Sequence, residues 1–363
     1  MSNSDLINQQ GAPEDGGAPD SSHDPSRGLP SDGLPATLGG RGWRNRDRSL
    51  REEVREGIVW RRCGVSSETG RLREVLLAWP SDAFLAVEEP DRHLMLGGVD
   101  LDELRCEARA LGRFYEEKGV GVHWIEAPSA ASPNLVFVRD LFWMTPEGAV
   151  VSRMAPRQRA GEERYVAAAL AALGIPILMT LRGRAAFEGA DALWLNRALV
   201  LVGVGKRTNE EGFRQVSALL KDMGVRAFRI PLDGPVQHLL GVVNFIRSDL
   251  AVLHRVHASD VLVSVLKDAG VRTIEVSPGE EIDDRRGMNF VTLAPGEVVM
   301  PEECPVLRER MEKEAVRCHV LDVHQYIRAA GAIGCVTGIL YREEEVAEID
   351  VPSSRFFHIP GLV

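Results

Sequence analysis

The sequence predicts an α/β fold made of five similar modules arranged in a ring. Pairs of apolar stretches, each pair separated by a short polar or glycine break, recur at intervals of about 50 residues. A helical pattern follows most of these pairs, and a short β-rich run follows each helix. A repeat of this length is typical of one closed or stacked architecture rather than of separate domains.

The hairpins are predicted from alternating β-branched residues around N-x, D-L or P-G breaks. Each stretch is predicted to form a strand, a break and a second strand. The five stretches are NLVFVRDLFWMTPEGAVVSRM from Asn134, ALWLNRALVLVGV from Ala192, VVNFIRSDLAVLH from Val242, MNFVTLAPGEVVM from Met288 and GCVTGILYRE from Gly334.

The helices are predicted from apolar periodicity that ends at a glycine or polar stop. In EEGFRQVSALLKDMG, Thr208 or Asn209 is the candidate N-cap and Gly224 is the stop. The other helical patterns are EERYVAAALAALG, ASDVLVSVLKDAG and CPVLRERMEKEA, and the β-rich runs are PILMTL, VRAFRIPL, VRTIEVS and RCHVLDV. The stretch REVLLAWP, residues 73–80, is predicted to supply a strand to the module that contains Cys335.

Composition limits the partners of the protein. The chain has 363 residues, a formal net charge of −10 and no block of Lys or Arg, which argues against nucleic acid or an anionic membrane as a partner. An acidic protein suits a cationic small-molecule substrate. No apolar run reaches about 18 residues, so no transmembrane helix is expected. The N-terminus lacks the basic start and apolar stretch of a secretory signal. Association as a homo-oligomer is left open.

The cysteines indicate the compartment. They are five in number, scattered, and include no C-x-x-C pair, which argues against a disulfide framework or a zinc site and predicts a reducing cytoplasm. They are Cys63, Cys106, Cys304, Cys318 and Cys335.

A change in composition predicts the domain organisation. Residues 1–42 are rich in Gly, Pro, Ser, Asp and Asn and contain no aromatic residue. They are predicted to be a disordered N-terminal tail, because they cannot bury enough apolar surface to offset the entropy of ordering. Residues 43–363 are predicted to form a single catalytic domain, with a charged surface helix within residues 44–62 leading into it.

Polar residues occupy equivalent places in four of the modules. Asp140 lies in the first hairpin stretch, and Glu188 and Asp191, in FEGAD, precede the second. His238 precedes the third stretch and Cys335 opens the fifth. Because equivalent strand ends of a ring converge on its axis, we expect these side chains to meet. A thiol and an imidazole form a candidate nucleophile–base pair, and carboxylates match a planar guanidinium.

Each of these residues, taken singly, also fits a structural role. Cys335 could pack as a small apolar side chain, His238 could be a core histidine, and the acids could cap turns or loops. Only the ordered set favours chemistry.

An ordered set of motifs resembles the guanidine-modifying enzymes, or penteins, which include arginine deiminase, dimethylarginine dimethylaminohydrolase and the amidinotransferases. The likeness covers residues 64–342 and implies a five-bladed α/β propeller, in agreement with the ring predicted from the repeat. The motifs, in order, are PNLVFVRD, FEGAD, GVGKRTNEEG, QHL, NFVTLAPGEVV and GAIGCVTG.

The resemblance implies a role for each residue of the set. Cys335 is the expected nucleophile at the guanidinium carbon, and His238 is expected to protonate the leaving amine and then to activate water. Glu188 is expected to orient His238. Asp140 is expected to bind the guanidinium nitrogens, and Asp191 to add a second acidic contact. No metal or organic cofactor is expected, since thiolate and imidazole carry out the covalent and proton-transfer steps.

Three further side chains are implied as contacts for the rest of the substrate. Arg207, in KRTN, is expected to bind an α-carboxylate, and Arg153, in SRM, is a second candidate for that role. Phe137 is expected to pack against the apolar stem.

The sequence departs from the family pattern at Leu240. Deiminases and amidinotransferases that act on unsubstituted guanidine usually have an aspartate there, two residues after the histidine. An apolar wall favours an alkylated nitrogen, since an unpaired buried donor costs about 1–3 kcal/mol. Leu240 therefore predicts Nω-methylated arginine as the substrate, whereas PNLVFVRD and NFVTLAPG are more similar to arginine deiminase.

Three functions stay open at this point. The first is a hydrolase that converts arginine or Nω-methylarginine to citrulline plus ammonia or methylamine. The second is an amidinotransferase, and the third is a non-catalytic binding protein, against which the Cys–His–Glu set argues. The pairs His254/His257 and His319/His324 are interpreted as structural. Residues 156–163, PRQRAGEE, fit either a mobile lid or a surface loop.

Overall fold

Five three-stranded β-sheets organise the chain between residues 72 and 342. The structure is a computed structural model that describes residues 33–126, 128 and 131–344. The chain divides into two units at Arg48 and Ser49. In the first, Ala36–Leu38 is a single 3₁₀ turn closed by Gly39. The predicted disordered tail lies mostly outside the described residues, and the predicted domain boundary after residue 42 stays a prediction.

The second unit contains the sheets and the helices that connect their strands. The strands are β1 (Leu72–Ala78), β2 (Gly121–Ile125), β3 (Phe142–Thr145), β4 (Gly148–Val151), β5 (Ile177–Thr180), β6 (Ala192–Asn196), β7 (Leu199–Val204), β8 (Arg226–Pro231), β9 (Val243–Arg247), β10 (Leu250–His254), β11 (Arg272–Val276), β12 (Val291–Ala294), β13 (Glu297–Pro301), β14 (Arg317–Leu321) and β15 (Gly338–Arg342). The helices are α1 (Leu50–Glu56), α2 (Leu101–Glu117), α3 (Glu163–Ala172), α4 (Glu210–Asp222), α5 (Asp260–Asp268), α6 (Pro305–Lys313), α7 (His324–Arg328) and α8 (Ile333–Val336).

Every sheet has the same topology. A hairpin is followed by a helix and then by a third strand that pairs parallel with the second strand of the hairpin. The first four modules are β3-β4-α3-β5, β6-β7-α4-β8, β9-β10-α5-β11 and β12-β13-α6-β14. The antiparallel and parallel pairings hold in each of these sheets. The predicted ring of five α/β modules is confirmed, and these four modules have the predicted hairpin-helix-strand order.

The fifth module joins the two ends of the unit. Strand β1 pairs antiparallel with β15 and parallel with β2, with α2 between β1 and β2 in sequence. The prediction that residues 73–80 supply this strand is confirmed. The prediction of a complete hairpin from Gly334 is wrong, because the stretch forms α8 and then the single strand β15.

The first hairpin begins later than predicted. The apolar run NLVFVRD forms two 3₁₀ turns, Pro133–Val136 and Val138–Asp140, and only then does β3 begin. All four residues of the first turn are buried. Their apolar character therefore reflects burial beneath neighbouring segments, not a strand.

Local signals set the helix ends as predicted. Asn209, rather than Thr208, is the N-cap of α4, and its Oδ1 accepts from the Gly212 N–H at 2.9 Å. Gly224 ends the helix in the left-handed region, at φ 72°, where glycine has no steric penalty.

The hairpin strands contribute most of the core. Strands β4, β7 and β10 are buried at every position, whereas the third strands β5 and β14 are largely exposed or half-buried. Strands covered on both faces have nearly continuous apolar sequences. The buried polar side chains of Asp140, Asp191 and His238 lie in the short turns that precede β3, β6 and β9.

Gly148 gives a test of the sheet packing in the first module. Its φ is 147°, and a Cβ there would overlap the Pro176 carbonyl and lie 2.9 Å from the Pro176 Cβ. We expect Gly148→Ala to lower the free energy of unfolding by about 2–6 kcal/mol, from backbone strain and overpacking together. The control is Gly224→Ala, where no heavy atom lies within 4 Å and only the left-handed conformation costs about 1–2 kcal/mol. Urea unfolding measures both, and equal losses would contradict the packing argument.

Candidate active site

A small cavity brings together most of the residues predicted to act on a substrate. Its lining includes Phe137, Asp140, Arg207, His238 and Cys335. These side chains come from the first, second, third and fifth modules, and most of them from the turns just before β3, β9 and β15. The cavity also touches Leu94, Asn134, Arg159, Gln237 and Ala330.

Glu188 is the fully buried acceptor for two cationic groups. Its Oε2 lies 2.7 Å from His238 Nε2 and 3.0 Å from Arg207 Nη1. Its Oε1 accepts from the Ala155 N–H at 3.1 Å. Because Glu188 engages Nε2 of His238, the other ring nitrogen, Nδ1, is the one left for proton transfer, and it lies 3.7 Å from Asp140 Oδ1.

Asp140 has one oxygen bound and one oxygen unbound. Its Oδ2 accepts from Arg159 Nη1 at 2.5 Å, and Arg159 in turn donates to Glu162 at 2.9 Å. Its Oδ1 is buried and has no hydrogen-bond partner among the described residues. A buried carboxylate oxygen without a donor is costly, so this atom is the natural acceptor for an N–H group of a ligand.

Cys335 lies on α8, close to the fourth module. Asn289, in the turn before β12, donates through Nδ2 to the Cys335 Sγ at 2.9 Å and accepts through Oδ1 from the Cys335 N–H at 3.0 Å. Gly331 makes room for the ring of Phe137, since a Cβ on Gly331 would lie 2.7 Å from a ring carbon. The glycines around Cys335 therefore allow close approach of an aromatic wall.

The electrostatics of the cavity favour an imidazolium beside a carboxylate. Burial lowers the pKa of His238, but the charges of Asp140, Glu188 and Asp191 outweigh it and raise that pKa to about 9. Burial raises the pKa of Glu188, whereas its bond to His238 and the charges of His238, Arg207 and Arg159 lower it to about 2. At neutral pH the pair is therefore ionised.

The thiol of Cys335 is in the opposite situation. Burial, together with the charge of Asp140, raises its pKa above the ordinary value. In the ligand-free site, Cys335 is consequently a protonated thiol, and its conversion to a thiolate needs a nearby positive charge.

Four predicted residues do not line this cavity. Glu188 is bonded to His238 and Arg207, which do line it, and the others are Asp191, Arg153 and Leu240. Asp191 is fully buried, and its oxygens accept from Thr208 Oγ1 at 2.6 Å and from the Leu239 N–H at 2.9 Å. It therefore holds the turn that carries His238, not a substrate. Arg153 is exposed and donates to the Ala185 carbonyl at 2.8 Å.

Leu240 lines a different cavity. This neighbouring cavity is lined by Glu68, Arg139 and Asn244, among others, and does not include Cys335 or His238. The apolar wall inferred from Leu240 is thus absent from the lining around the thiol. The argument that this residue selects Nω-methylated arginine loses its geometric basis.

Sequence reasoning missed two residues of the site. Asn289 occupies the place in the fourth module that corresponds to Asp140, His238 and the Cys335 turn. Extending the strand-end argument to the fourth stretch, whose second residue is Asn289, would have found it. Arg159 was noticed only as part of residues 156–163, and its buried pairing with Asp140 depends on tertiary structure.

Residues 156–163 form a pinned wall. Arg159 and Glu162 are buried and paired, and the Glu163 carboxylate accepts from the Met154 and Gly161 N–H groups at 3.2 and 2.7 Å. The segment is therefore a surface loop, with exposed residues on both sides of the buried Arg159, that is anchored by Arg159 and Glu162, and the mobile lid stays a prediction.

The opposite wall of the cavity is backbone held in an unusual conformation. Leu94 and Ala330 both have positive φ, 61° and 79°. Such non-glycine residues cost about 1–3 kcal/mol each and persist only where the surroundings fix them. Here the Leu96 and Gly97 N–H groups both donate to the Arg328 carbonyl, at 2.9 and 3.1 Å.

Asp140, Glu188 and His238 place ligand atoms within 4.8 Å of one another, as a metal site would. The donor set fits a divalent cation poorly, because Arg159 is bound to Asp140 and Arg207 to Glu188. The rings of His254 and His257 lie 4.3 Å apart between centroids and are tilted by 30°.

A larger cavity, of about 390 Å³, lies at the other end of the strands. It is lined by Arg51, Arg55, Cys63, Pro146 and Glu344, among others, and includes none of the predicted site residues. Two of its arginines are paired with Glu344.

Within the described residues, no helix combines the length and apolar character needed to cross a membrane.

Together the five sheets and the cavity define a class, an α/β propeller with a Cys–His–carboxylate site at its strand ends. The family model for arginine deiminase matches residues 128–258. Arginine deiminase from Clostridium perfringens is 25% identical over 325 residues, covering 78% of this chain and 76% of that protein. An uncharacterized protein from Aeropyrum pernix is 25% identical over 242 residues, covering 65% and 84%.

Solved structures with the same fold extend this relationship. Dimethylarginine dimethylaminohydrolase from Pseudomonas aeruginosa, in complex with citrulline, superposes with a TM-score of 0.61 at 19% identity, covering 75% of this chain and 100% of that one. The amidinotransferase SxtG from Microseira wollei gives 0.64 at 14% identity, covering 79% and 99%. The chain is thus similar in sequence to arginine deiminases and similar in fold to dimethylarginine dimethylaminohydrolase and to an amidinotransferase.

The Glu188–His238 pair gives a prediction about protonation. Glu188→Gln removes the negative charge 2.7 Å from Nε2, so we expect the His238 pKa to fall from about 9 by about 1–2 pH units. Long-range ¹H–¹⁵N NMR of the imidazoles measures it, with His238→Asn for assignment. Because folding raises this pKa, protonated His238 stabilises the folded state below about pH 6.5. That contribution is lost as the pH rises through about 9.

The matched control is Glu297→Gln, which removes a carboxylate 2.7 Å from His319 Nε2 in a half-exposed pair. It should leave His238 unchanged. An unchanged His238 pKa in Glu188→Gln would contradict the assignment of Glu188 as its main partner.

Proposed function

We propose that the protein is a hydrolase that cleaves the guanidine C–N bond of arginine or Nω-methylarginine, with Cys335 as a covalent nucleophile. The observation that carries this proposal is the unpartnered Asp140 Oδ1, buried in the cavity that also holds the Cys335 thiol and the His238 Nδ1. An acceptor for a guanidinium N–H, a nucleophile and a proton donor thus share one small space. The similarity to arginine deiminases supports the same chemistry.

The first half-reaction forms a covalent intermediate. A substrate N–H donates to Asp140 Oδ1, and the bound cation lowers the pKa of Cys335 so that the thiol loses its proton to solvent. The thiolate attacks the guanidinium carbon and forms a C–S bond. His238 then transfers its proton to the leaving nitrogen, the C–N bond breaks, and ammonia or methylamine departs from the thiouronium.

The second half-reaction returns the enzyme to its resting state. Neutral His238 accepts a proton from a water molecule as that water attacks the thiouronium carbon. The C–S bond breaks, the former water oxygen becomes the ureido carbonyl of citrulline, and the proton that it still carried returns Sγ from thiolate to thiol. Ionised Glu188 suits this cycle, because it stabilises the imidazolium each time it forms.

Arg207 is the proposed ligand of the substrate α-carboxylate. It lines the cavity, and one of its nitrogens is bound to Glu188. A guanidinium has five N–H donors, which leaves donors for a carboxylate. Arg159 is less suited to this role, because it already donates to Asp140, Glu162 and the Asn134 and Phe137 carbonyls.

The cavity must open to admit a substrate. Its volume of about 20 Å³ is close to the space for one water molecule. Because residues 156–163 are pinned by buried ion pairs, opening would involve the opposite wall, around Leu94 and Ala330.

Amidino transfer is the second candidate function. The same thiouronium would react with an acceptor amine in place of water, and the structural likeness to SxtG over 79% of this chain favours keeping it. The two reactions differ only in the group that attacks the intermediate.

A substrate panel tests the proposed function. The purified protein is incubated with arginine, Nω-methylarginine and agmatine, with and without an acceptor amine. We expect citrulline plus ammonia or methylamine, and poor turnover of agmatine, which lacks the carboxylate for Arg207. Product that forms only with the acceptor would indicate the transferase, and no product with any substrate would indicate a non-catalytic binding protein.

His238→Ala should lower kcat by about 10²–10⁴-fold, the usual range for a general acid–base group. The matched control is His257→Ala, the same change outside the cavity, which should retain wild-type turnover. The double variant Glu188→Gln/His238→Ala should lose little more than His238→Ala, because both act through one imidazole. Turnover within tenfold of wild type would make His238 a core residue.

We expect a chloroacetamidine, whose amidinium cation can bind Asp140 as a guanidinium would and so promote ionisation of the nearby thiol, to label Cys335 and spare the other cysteines. Burial raises the pKa of Cys63 and Cys304 to about 12 and that of Cys318 to about 11, which leaves them largely protonated. Cys106 is exposed, so Cys106→Ser provides the clean background. Peptide mass spectrometry locates the adduct, and activity retained in Cys335→Ser would exclude the covalent route.

A further inference from the structure

The fourth module also directs a side chain to the reacting sulfur. Asn289 lies in the turn before β12, the place that corresponds to Asp140, Glu188, His238 and Cys335 in the other modules. Its amide makes two hydrogen bonds to the same residue, through Nδ2 to the Cys335 Sγ at 2.9 Å and through Oδ1 to the Cys335 N–H at 3.0 Å. Every module thus contributes to the site.

The hydrogen-bond network fixes which end of the amide faces the sulfur. The Cys335 N–H can only donate, so the amide oxygen must face it, and the NH₂ group must then face Sγ. If the amide were flipped, its NH₂ group would face the Cys335 N–H, and two donors would point at each other. The assignment of Nδ2 as the donor to sulfur therefore follows from the backbone, not from the placement of one atom.

The position of Asn289 is held from both sides. Its backbone carbonyl accepts from the Gly334 N–H at 3.1 Å. Asn244, in the third module, donates to the Met288 and Phe290 carbonyls, at 2.9 Å each, on either side of Asn289. Gly334 leaves room for the Asn289 side chain, since a Cβ on Gly334 would lie 3.0 Å from Asn289 Oδ1.

We propose that Asn289 is a positioning residue that aims the Cys335 sulfur and stabilises its thiolate through the Nδ2–H donor, a role that rests on Cys335 being the nucleophile. A hydrogen bond to an ionised acceptor is stronger than one to a neutral acceptor, so this donor favours the thiolate over the thiol. It opposes burial and the charge of Asp140, which both disfavour the thiolate. When the thiol ionises, its proton goes to solvent. The Nδ2–H group of Asn289 stays hydrogen-bonded to the sulfur.

The test is the rate of Cys335 alkylation by iodoacetamide as a function of pH, in the full chain with Cys106→Ser and with peptide mass spectrometry as the readout. Loss of a hydrogen bond to a charged group should raise the pKa by about 1–2 pH units. The thiolate fraction at pH 8 then falls, partly offset by higher nucleophilicity, so Asn289→Ala should react about 3–10-fold more slowly.

Asn289→Asp is the decisive variant. It keeps the acceptor for the Cys335 N–H and the shape of the side chain, but it replaces the donor with a negatively charged oxygen. We expect alkylation at least threefold slower than wild type and a pH profile moved to higher pH. An alkylation rate within threefold of wild type, with an unchanged pH profile, would overturn the proposal. Asn289 would then have only a structural role.

Two further variants keep the result interpretable. Asn209→Asp makes the same change at the N-cap of α4, where Asp is equally acceptable, and should react like wild type. If Asn289→Asp does not fold, Gly334→Ala serves instead, because its Cβ displaces the amide without altering it, and the same threefold criterion applies. Alkylation needs no guanidine substrate, so absence of arginine turnover would sink the proposed function and leave this result standing.

Discussion

The site depends on the hydrogen bonds and ion pairs that the buried carboxylate of Glu188 makes. It connects three modules, since it accepts from Ala155 of the first, Arg207 of the second and His238 of the third. Burial alone would protonate it, and the two cations keep it ionised. Removing one partner of such a buried pair costs more than the pair contributes, because an uncompensated charge is left behind. Glu188 therefore fixes the ring nitrogen of His238 and the position of Arg207 together.

The overall acidity of the chain says little about this site. The net charge is −10, yet Asp140 and Glu188 each carry an arginine in the cavity. Their charges are largely balanced locally, and the attraction for a cationic ligand rests on one oxygen, Asp140 Oδ1. Arg159 holds the other oxygen and so limits Asp140 to a single-sided contact with a guanidinium. In the proposed function, selectivity for a cationic substrate would come from this directed acceptor and not from a negative surface.

The fold was predictable because a similar pattern of apolar stretches recurs five times along the sequence. Since equivalent strand ends of a ring converge on its axis, Asp140, Glu188, His238 and Cys335 were expected to lie in one place. The sequence could not distinguish a buried 3₁₀ turn from a strand in NLVFVRD, since burial makes both apolar. It also could not tell which neighbour a turn residue faces. Asp191 and Leu240 lie in the right turns, but one bonds to the turn of His238 and the other lines the adjacent cavity. The role of Arg159 could not be predicted, because its partner Asp140 is 19 residues away in the sequence.

The protonation states connect binding to reactivity. Without a ligand, the cavity holds a neutral thiol and an imidazolium, and Asp140 contributes to keeping the thiol protonated. A guanidinium on Asp140 Oδ1 would cancel that negative charge and place a positive one beside the sulfur, so the same contact that binds the substrate would generate the nucleophile. The neutral ureido group of citrulline would do neither. The thiolate would then take up a proton again, and the product would lose the charge that held it. In this reading Asp140 is the residue through which the enzyme distinguishes substrate from product.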